Sequence, residues 1–523
     1  MDDVIQTKSQ NLVVVALMLA MALTAMDATI VATAIPTIVR DLGGFALFPW
    51  LFSIYLLTQA ALTPIYGKLA DLYGRKPVLI VGSIIFLIGS ALSGLSWNMV
   101  ALIAFRGLQG IGAGSIQPIV ITLAGDLFTI QERAKMQGYL SSVWGLSAIV
   151  GPALGGLFVQ YASWRWIFYI NIPIGAAALI ALTIFLHERV QHRRHHIDYL
   201  GSSLLIGSIG LMITGLLEGG VGWVWVSAPS GLTILGGLAL IILFFVWERL
   251  APEPVLPTWV FGRRVLLAAN LGSLGVGVIT IGLSSYLPTY LQGVLGQTPL
   301  VAGFALAAMS VGWPLASAFS GKLYLKYGFR NTALLGSLVT VAAGAGFMSL
   351  GSHSNVVQAA FFSFLVGVGL GIGSTSLIVL IQSIVAWNRR GVVTGANMFT
   401  RQLGSTLGVA AYGTLVNAAL AHAFLHPPGS VAKHLPHNLN AASLAIGGVP
   451  NLPRQALRFV QHALAHGIHR VFVGVFIVAG LTFVVEWLLP KSAESLATSV
   501  PANGESPDPD SDHSVLEGRG PQD

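Results

Sequence analysis

Fourteen apolar runs follow one another along this chain, each near the roughly 20 residues a helix needs to cross about 30 Å of hydrocarbon. They fall near 12–35, 46–68, 77–96, 99–122, 138–160, 166–186, 200–218, 230–247, 266–291, 299–321, 332–350, 357–384, 393–418 and 467–489. Continuous runs of this length predict helices, because the strands of a membrane barrel would read as short alternating segments. Composition agrees: 54% of residues are hydrophobic and 9% charged, whereas a soluble domain carries about a quarter charged residues. The expected class is an all-α polytopic membrane protein whose apolar surface faces lipid.

A duplicated loop divides these runs. GKLADLYGRK, Gly67 to Lys76, joins the second run to the third, and GKLYLKYGFR recurs at Gly321 to Arg330 between the tenth and eleventh. Both copies keep the Gly-Lys-Leu opening, the Tyr-Gly pair and a closing base, while Asp71 becomes Leu325 and Arg75 becomes Phe329. GIGAGS at 110–115 is likewise echoed by GLGIGS at 369–374, each deep in the fourth run of its half. The division predicted is a six-helix bundle over 1–190, two inserted spans with their linkers over 191–262, and a second six-helix bundle over 263–490.

Charge placement predicts the orientation. Lys68, Arg75, Lys76, Arg133, Arg193, Arg194, Arg263, Arg264, Arg389 and Arg390 all fall on one side of an even number of crossings, and few basic residues fall on the other. Both termini are therefore expected in the cytoplasm, with the chain in the cell membrane. The net charge of +7 reads as topology rather than nucleic-acid binding, and HERVQHRRHH at 187–196 as an inner-leaflet anchor. The absence of cysteine excludes disulfides and thiolate metal sites. Ala20-Met21-Ala22 resembles a signal-peptidase site, but the apolar run continues past it, so the first helix is expected to stay uncleaved. Residues 419–466 read as a long outer loop and 491–523 as an acidic, disordered tail. His462, His466 and His469 recur at helical spacing in that loop, yet no carboxylate there completes a metal site, and none is expected.

Charge inside a membrane is costly unless it faces a cavity, so it points to function. Asp27 lies about 12 Å below the outer end of the first run at 1.5 Å per residue, and Arg106 lies at about that depth on the fourth. The two are expected to meet. Opposing effects of burial and a guanidinium can poise a carboxylate for proton exchange, and a static pair locking two helices would use the same residues.

MDATIVATAIP at 26–36, the loop at 67–76, FRGLQGIGAG at 105–114, GLSAIVGPALGG at 145–156, WRWIFYINIPIG at 164–175 and FTRQLGSTLGVA at 399–410 together resemble the 14-helix drug:proton antiporters of the EmrB/QacA type. That resemblance implies the major facilitator fold, with two bundles rocking about a substrate site near mid-membrane. It makes Asp27 the proton-coupling carboxylate and ties Arg106 to proton transfer. Gly145, Gly151, Pro152, Gly155 and Gly156 become the element associated with export, although ordinary tight helix packing would use the same glycines. In the loop, Gly67 and Gly74 allow the reversal, Asp71 caps a facing helix, and Arg75 pairs with an acid on the fourth span, which Asp126 fits. Such a cluster would be a latch that breaks on rocking; a plain topology signal is the alternative. No cofactor is implied, the proton gradient being the driving force.

Gln59, Gln109, Tyr286, Tyr290 and Asn397 lie on runs that line the cavity in that fold, and aromatics with a few amides suit flat lipophilic ligands. Arg401 is added as a charge that a dication bridging the bundles could also meet: no Asp or Glu occurs between Glu253 and Glu486, and Glu486, four residues before Pro490, lies at the inner end of the last run, so the second bundle's cavity face is without an anion. The expected partners are protons, the bilayer and a small amphipathic substrate; a membrane-fusion partner is not legible. An exporter of a metabolite, siderophore or lipid would share the proton site. A membrane enzyme has no HExxH, GxSxG or GxxxxGK[ST] pattern to stand on, and a sensor would not need Asp27 and Arg106.

Overall fold

Helices coincide with every expected run in the computed structural model, which describes residues 5–7, 10–42, 47–188, 198–218, 223, 227–252, 254–351, 354–425 and 454–490. They are α1 (Gln10–Leu42), α2 (Phe48–Tyr73), α3 (Arg75–Gly94), α4 (Met99–Leu127), α5 (Ile130–Tyr161), α6 (Trp166–Tyr169), α7 (Asn171–Phe185), α8 (Tyr199–Glu218) and α9 (Ala228–Trp247). After these come α10 (Trp259–Gly262), α11 (Arg264–Gly293), α12 (Pro299–Met348), α13 (Val356–Ser383), α14 (Arg390–Leu425) and α15 (Arg454–Glu486). Among the described residues, 11 helices are long and apolar enough to cross a membrane. One of them, α12, carries both the tenth and eleventh runs, because the chain kinks at Gly328 with φ 81 and ψ 162.

The kink is the structural form of the duplication. Gly74 ends α2 with φ 96 and ψ 153, and it holds the same place in the first loop copy that Gly328 holds in the second. A left-handed φ costs glycine little and any other residue more, so the Tyr-Gly pair persisted where the charges did not. The sixth run is broken for a different reason. Pro173 has no N–H for the Tyr169 carbonyl and its ring crowds that group, and the helix divides into α6 and α7 there.

Close approach through small residues builds each bundle. A Cβ on Gly112 would collide with the Phe86 backbone nitrogen, so α4 lies against α3 almost backbone to backbone. In the other half, a Cβ on Gly277 would collide with the Arg401 carbonyl oxygen, and this closeness seats α11 on α14. The halves meet along two related seams, α2 on α14 and α5 on the first part of α12. The first glycine of each loop copy sits in one of them. A Cβ on Gly67 would be 2.6 Å from the Gly391 oxygen, and one on Gly321 would be 2.7 Å from Ala134 Cβ. The inserted helices α8 and α9 pair with each other, and α8 touches α2. A short strand β1 (Ile5–Thr7) pairs antiparallel with β2 (Leu186–Glu188).

The outer loop expected over 419–466 is helical at both ends, since α14 runs to Leu425 and α15 starts at Arg454. The flanks are rich in Ala and Leu, strong helix formers, and no breaker precedes His426-Pro427-Pro428, so the helices outrun the apolar stretches. Residues 426–453, the tail at 491–523 and most of the basic run at 187–196 lie outside the described residues. His462, His466 and His469 thus lie on α15, where His466 Nε2 is 3.4 Å from Arg470. Among the described residues no group of three His, Cys, Asp or Glu is placed to hold a metal.

Candidate functional site

Asp27 is fully buried in the first bundle and receives donors from two other helices. Arg106 Nη1 donates to its Oδ2 at 2.6 Å, and Gln109 Nε2 and Asn171 Nδ2 donate to its Oδ1 at 2.9 and 3.4 Å. Arg106 and Gln109 share one face of α4 by their i, i+3 spacing. Gln109 also bridges the pair, because its Oε1 accepts from Arg106 at 2.7 Å. The guanidinium lies 4.2 Å from the ring centre of Tyr55, whose hydroxyl is buried without a hydrogen-bond partner. Asn171, the first residue of α7, is anchored by donating to Ser90 Oγ at 3.0 Å. A buried carboxylate held by one cation and two amides is satisfied while ionised; protonation or loss of the cation would force the cluster to rearrange.

Gln109, read from sequence as a substrate contact, therefore belongs to the Asp27 cluster. Tyr55 and Asn171 join it without having stood out in the sequence. Asn171 lies within the WRWIFYINIPIG segment, where a lone amide in an apolar run was the available signal.

A second cluster lies at the end of the bundles that carries the loop. Arg75 donates to Asp71 Oδ1 and to the Trp387 carbonyl, both at 2.7 Å, and its Nε is 3.1 Å from Asp126 Oδ2. Its guanidinium also lies 3.7 Å from the centre of the Trp387 ring. Asp126 takes a second cation, Arg390, at 2.8 Å. Asp71 accepts from the backbone amides of Gly391 at 3.0 Å and Val392 at 2.8 Å, which are among the first N–H groups of α14. A carboxylate on the unpaired amides of a helix start is favourable both as hydrogen bonding and as charge on dipole. The first bundle thus grips the second through α2, α3 and α4. Glu188 seats the loop from the other side by accepting from the Arg75 and Lys76 amides at 3.0 and 2.8 Å.

Burial pushes the Asp71 carboxyl up to about 7 against the pull of Arg75 and the two amides. A carboxyl that holds its proton more tightly in the closed contact than in water favours that contact increasingly as pH falls from about 7 toward the ordinary carboxylate range, and loses the contribution as pH rises through about 7. Closure at this end should therefore strengthen, not weaken, as pH drops through about 7.

The glycines of the 145–156 segment look in different directions. A Cβ on Gly145 would sit 2.6 Å from the Ser310 carbonyl on α12, and one on Gly151 would collide with Thr29 Oγ1 on α1. Thr29 donates to the Ser147 carbonyl at 2.9 Å, fastening α1 to α5 one turn away. Gly155 is buried and Gly156 faces open space. Pro152 lies within an α5 that continues through it.

The other expected substrate contacts are not gathered at one place. Gln59 is buried on α2, and Tyr286 packs edge-on against Tyr412 with ring centres 6.4 Å apart. Tyr290 is buried in the second bundle, and its hydroxyl donates to the Gly351 carbonyl at 2.7 Å. Asn397 is occupied within that bundle as well, accepting from Ser273 at 2.9 Å and donating to Asn270 at 3.2 Å. Both are hydrogen-bonded within that bundle. Arg401 is half-buried on α14.

A model of the Major Facilitator Superfamily matches residues 17–409. Among curated proteins, the chain is 36% identical over 413 residues to the multidrug transporter protein MdtP of Bacillus subtilis, covering 78% of this chain and 76% of that one. It is 35% identical over 473 residues to multidrug resistance protein 3 of the same organism, covering 89% and 92%. Among solved structures, the proton:xylose symporter XylE aligns with a TM-score of 0.59 over 94% of this chain and 98% of that one, at 12% identity. The human organic anion transporter MFSD10 also gives 0.59, over 90% and 99%, at 14% identity. At such identities the structures speak for the fold alone.

Proposed function

The chain belongs to the Major Facilitator Superfamily, and we propose that it is a proton-coupled antiporter that exports lipophilic monovalent cations or neutral amphiphiles across the cell membrane. The observation that carries this reading is Asp27, fully buried and held by Arg106, Gln109 and Asn171. The relatives named for multidrug transport and multidrug resistance support the coarser reading of multidrug efflux. In the cycle, ionised Asp27 favours a cation arriving from the cytoplasm, and protonation from outside weakens that hold and resets the carrier. Coupling needs only that proton and substrate compete for one site. The Asp71–Arg75–Asp126–Arg390 cluster acts as the cytoplasmic latch, so that breaking it opens the inner side. In this reading the chain crosses fourteen times, as bundles over 1–190 and 263–490 with an inserted pair over 191–262.

Cytoplasmic termini follow from the charge asymmetry. Because the chain has no cysteine, Ser430→Cys and Ser511→Cys report position without background. An impermeant maleimide added to intact cells should label the first and spare the second; the reverse would overturn the orientation.

Proteoliposomes with an imposed pH gradient test the function, and mono- and bis-quaternary ammonium compounds of matched hydrophobicity test the substrate. No Asp or Glu occurs between Glu253 and Glu486, and Glu486 is itself buried at 1% exposure inside the second bundle. A dication would pair one charge with Asp27 and bury the other alone, at several kcal/mol, against about 8 kcal/mol for a micromolar affinity. Mono compounds should be exported and bis compounds poorly. Export of the bis compounds equal to that of the mono compounds would overturn the charge preference, and no gradient-driven movement of either would overturn the antiporter.

A further inference from the structure

Glu486 is the last residue of α15. It turns inward among three neighbouring helices. Its Oε2 accepts from Ser337 Oγ on α12 at 2.6 Å. Its Oε1 lies 3.8 Å from where a Cβ on Gly272 of α11 would stand, and 4.0 Å from that on Gly373 of α13. The glycines make the room it occupies. Among the described residues, no Lys or Arg is ion-paired with it.

Beside the carboxylate is a cavity of about 10 Å³, room for one water-sized body, lined by Ser337, Thr340, Ser374, Thr482 and Glu486 among apolar residues and glycines. The hydroxyl protons of this wall are already committed. Thr340 donates to the Gly336 carbonyl, Ser374 to that of Leu370, and Thr482 to that of Val478, while Ser337 donates to Glu486. Each leaves only lone pairs for the cavity. A carboxylate and four acceptor oxygens with no donor among them form a wall that a positively charged or proton-bearing body would complete. One carboxylate supplies one negative charge, so a divalent ion would keep an uncompensated charge in an apolar bundle.

We propose that Glu486, Ser337, Thr340, Ser374 and Thr482 form a second ion site, inside the C-terminal bundle and separate from Asp27, for a small monovalent cation held either as a proton on Glu486 or as sodium against it. The residues facing it do not titrate. They are Val276 and Ile279 on α11, Gly369, Leu370 and Gly373 on α13 and Ala479 on α15, besides the hydroxyls. Arg330, the nearest charge before Ser337 on α12, instead lies 4.6 Å from the Trp487 ring centre. Occupancy of Glu486 should therefore follow cation concentration independently of the Asp27 cluster.

Dicyclohexylcarbodiimide tests this without relying on transport. The reagent adds to a protonated carboxyl shielded from water: the acid proton passes to a carbodiimide nitrogen as the carboxyl oxygen bonds to the central carbon, and the adduct is found by peptide mass. In the purified protein, the rate of labelling at Glu486 should fall about tenfold per pH unit once its proton is lost. The same profile is expected in Asp27→Asn. Sodium that slows labelling at fixed pH identifies the sodium form, and indifference to sodium with the pH profile intact identifies the proton. Proton uptake on a pH jump from about 9 to about 6 gives an independent reading and should fall by about one proton per chain in Glu486→Gln. No adduct at Glu486 together with unchanged uptake in Glu486→Gln would overturn the site, as would labelling insensitive to both pH and sodium.

Discussion

Asp27→Asn is expected to abolish proton-coupled efflux while leaving at most slow, gradient-independent leakage of substrate. The amide keeps the size of the carboxyl but can neither carry a proton between the two sides nor neutralise Arg106, which donates to Asp27 at 2.6 Å. A guanidinium left buried without its counter-ion typically costs about 3–5 kcal/mol, so folding must be checked by thermal unfolding in detergent before transport is read. If the mutant folds, flux in proteoliposomes should lose its dependence on the imposed pH gradient. Gradient dependence equal to that of the parent would remove Asp27 from the coupling role. The second carboxylate makes this outcome instructive. If gradient dependence survives Asp27→Asn but vanishes in Glu486→Gln, the coupling ion travels through the C-terminal bundle.

The length of an apolar run reports a helix directly, which is why every expected run coincides with a helix, 11 of them among the described residues long and apolar enough to cross a membrane. The Tyr-Gly pair in both loop copies likewise marks the left-handed turns at Gly74 and Gly328, since glycine is the residue that such a φ favours. What sequence does not report is azimuth. Gln109 sits on the face of α4 that meets Asp27, but its spacing from Arg106 alone was compatible with a cavity wall. The place of Glu486 near the end of the last run says nothing of which way it faces, since only the packing of α15 on α11 and α12 turns the carboxylate inward. Arg390 was masked by Arg389, because two adjacent bases beside a span read as orientation signal until one pairs with Asp126 at 2.8 Å. Asn397 and Tyr290 had the right chemistry for a ligand, but their polar atoms are spent on neighbours in the same bundle.

The largest conformational effect is expected from Arg75→Gln. In the closed contact Arg75 meets Asp71, Asp126, the Trp387 carbonyl and the Trp387 ring, so its removal strands buried carboxylates, with Arg390 left to hold Asp126 alone. The loss falls on the closed state, because water can reach these groups once the bundles rock apart. A broken buried ion pair costs about 3–5 kcal/mol, which moves the balance between the two states by roughly a hundred- to a few thousandfold toward opening at this end. Thr394 is fully buried, its hydroxyl 3.1 Å from Gln382, less than a turn from the amides that Asp71 caps. Thr394→Cys, in a chain with no other cysteine, should react slowly with maleimide in the parent and much faster with Arg75→Gln added. Asp71→Asn, whose remaining carbonyl oxygen can still accept from an α14 amide, should slow turnover while substrate affinity stays nearly unchanged. A Thr394→Cys thiol equally protected with and without Arg75 would mean that the ion cluster does not hold the bundles closed. A large loss of substrate affinity in a well-folded Asp71→Asn would place the cluster at the substrate instead of at a latch.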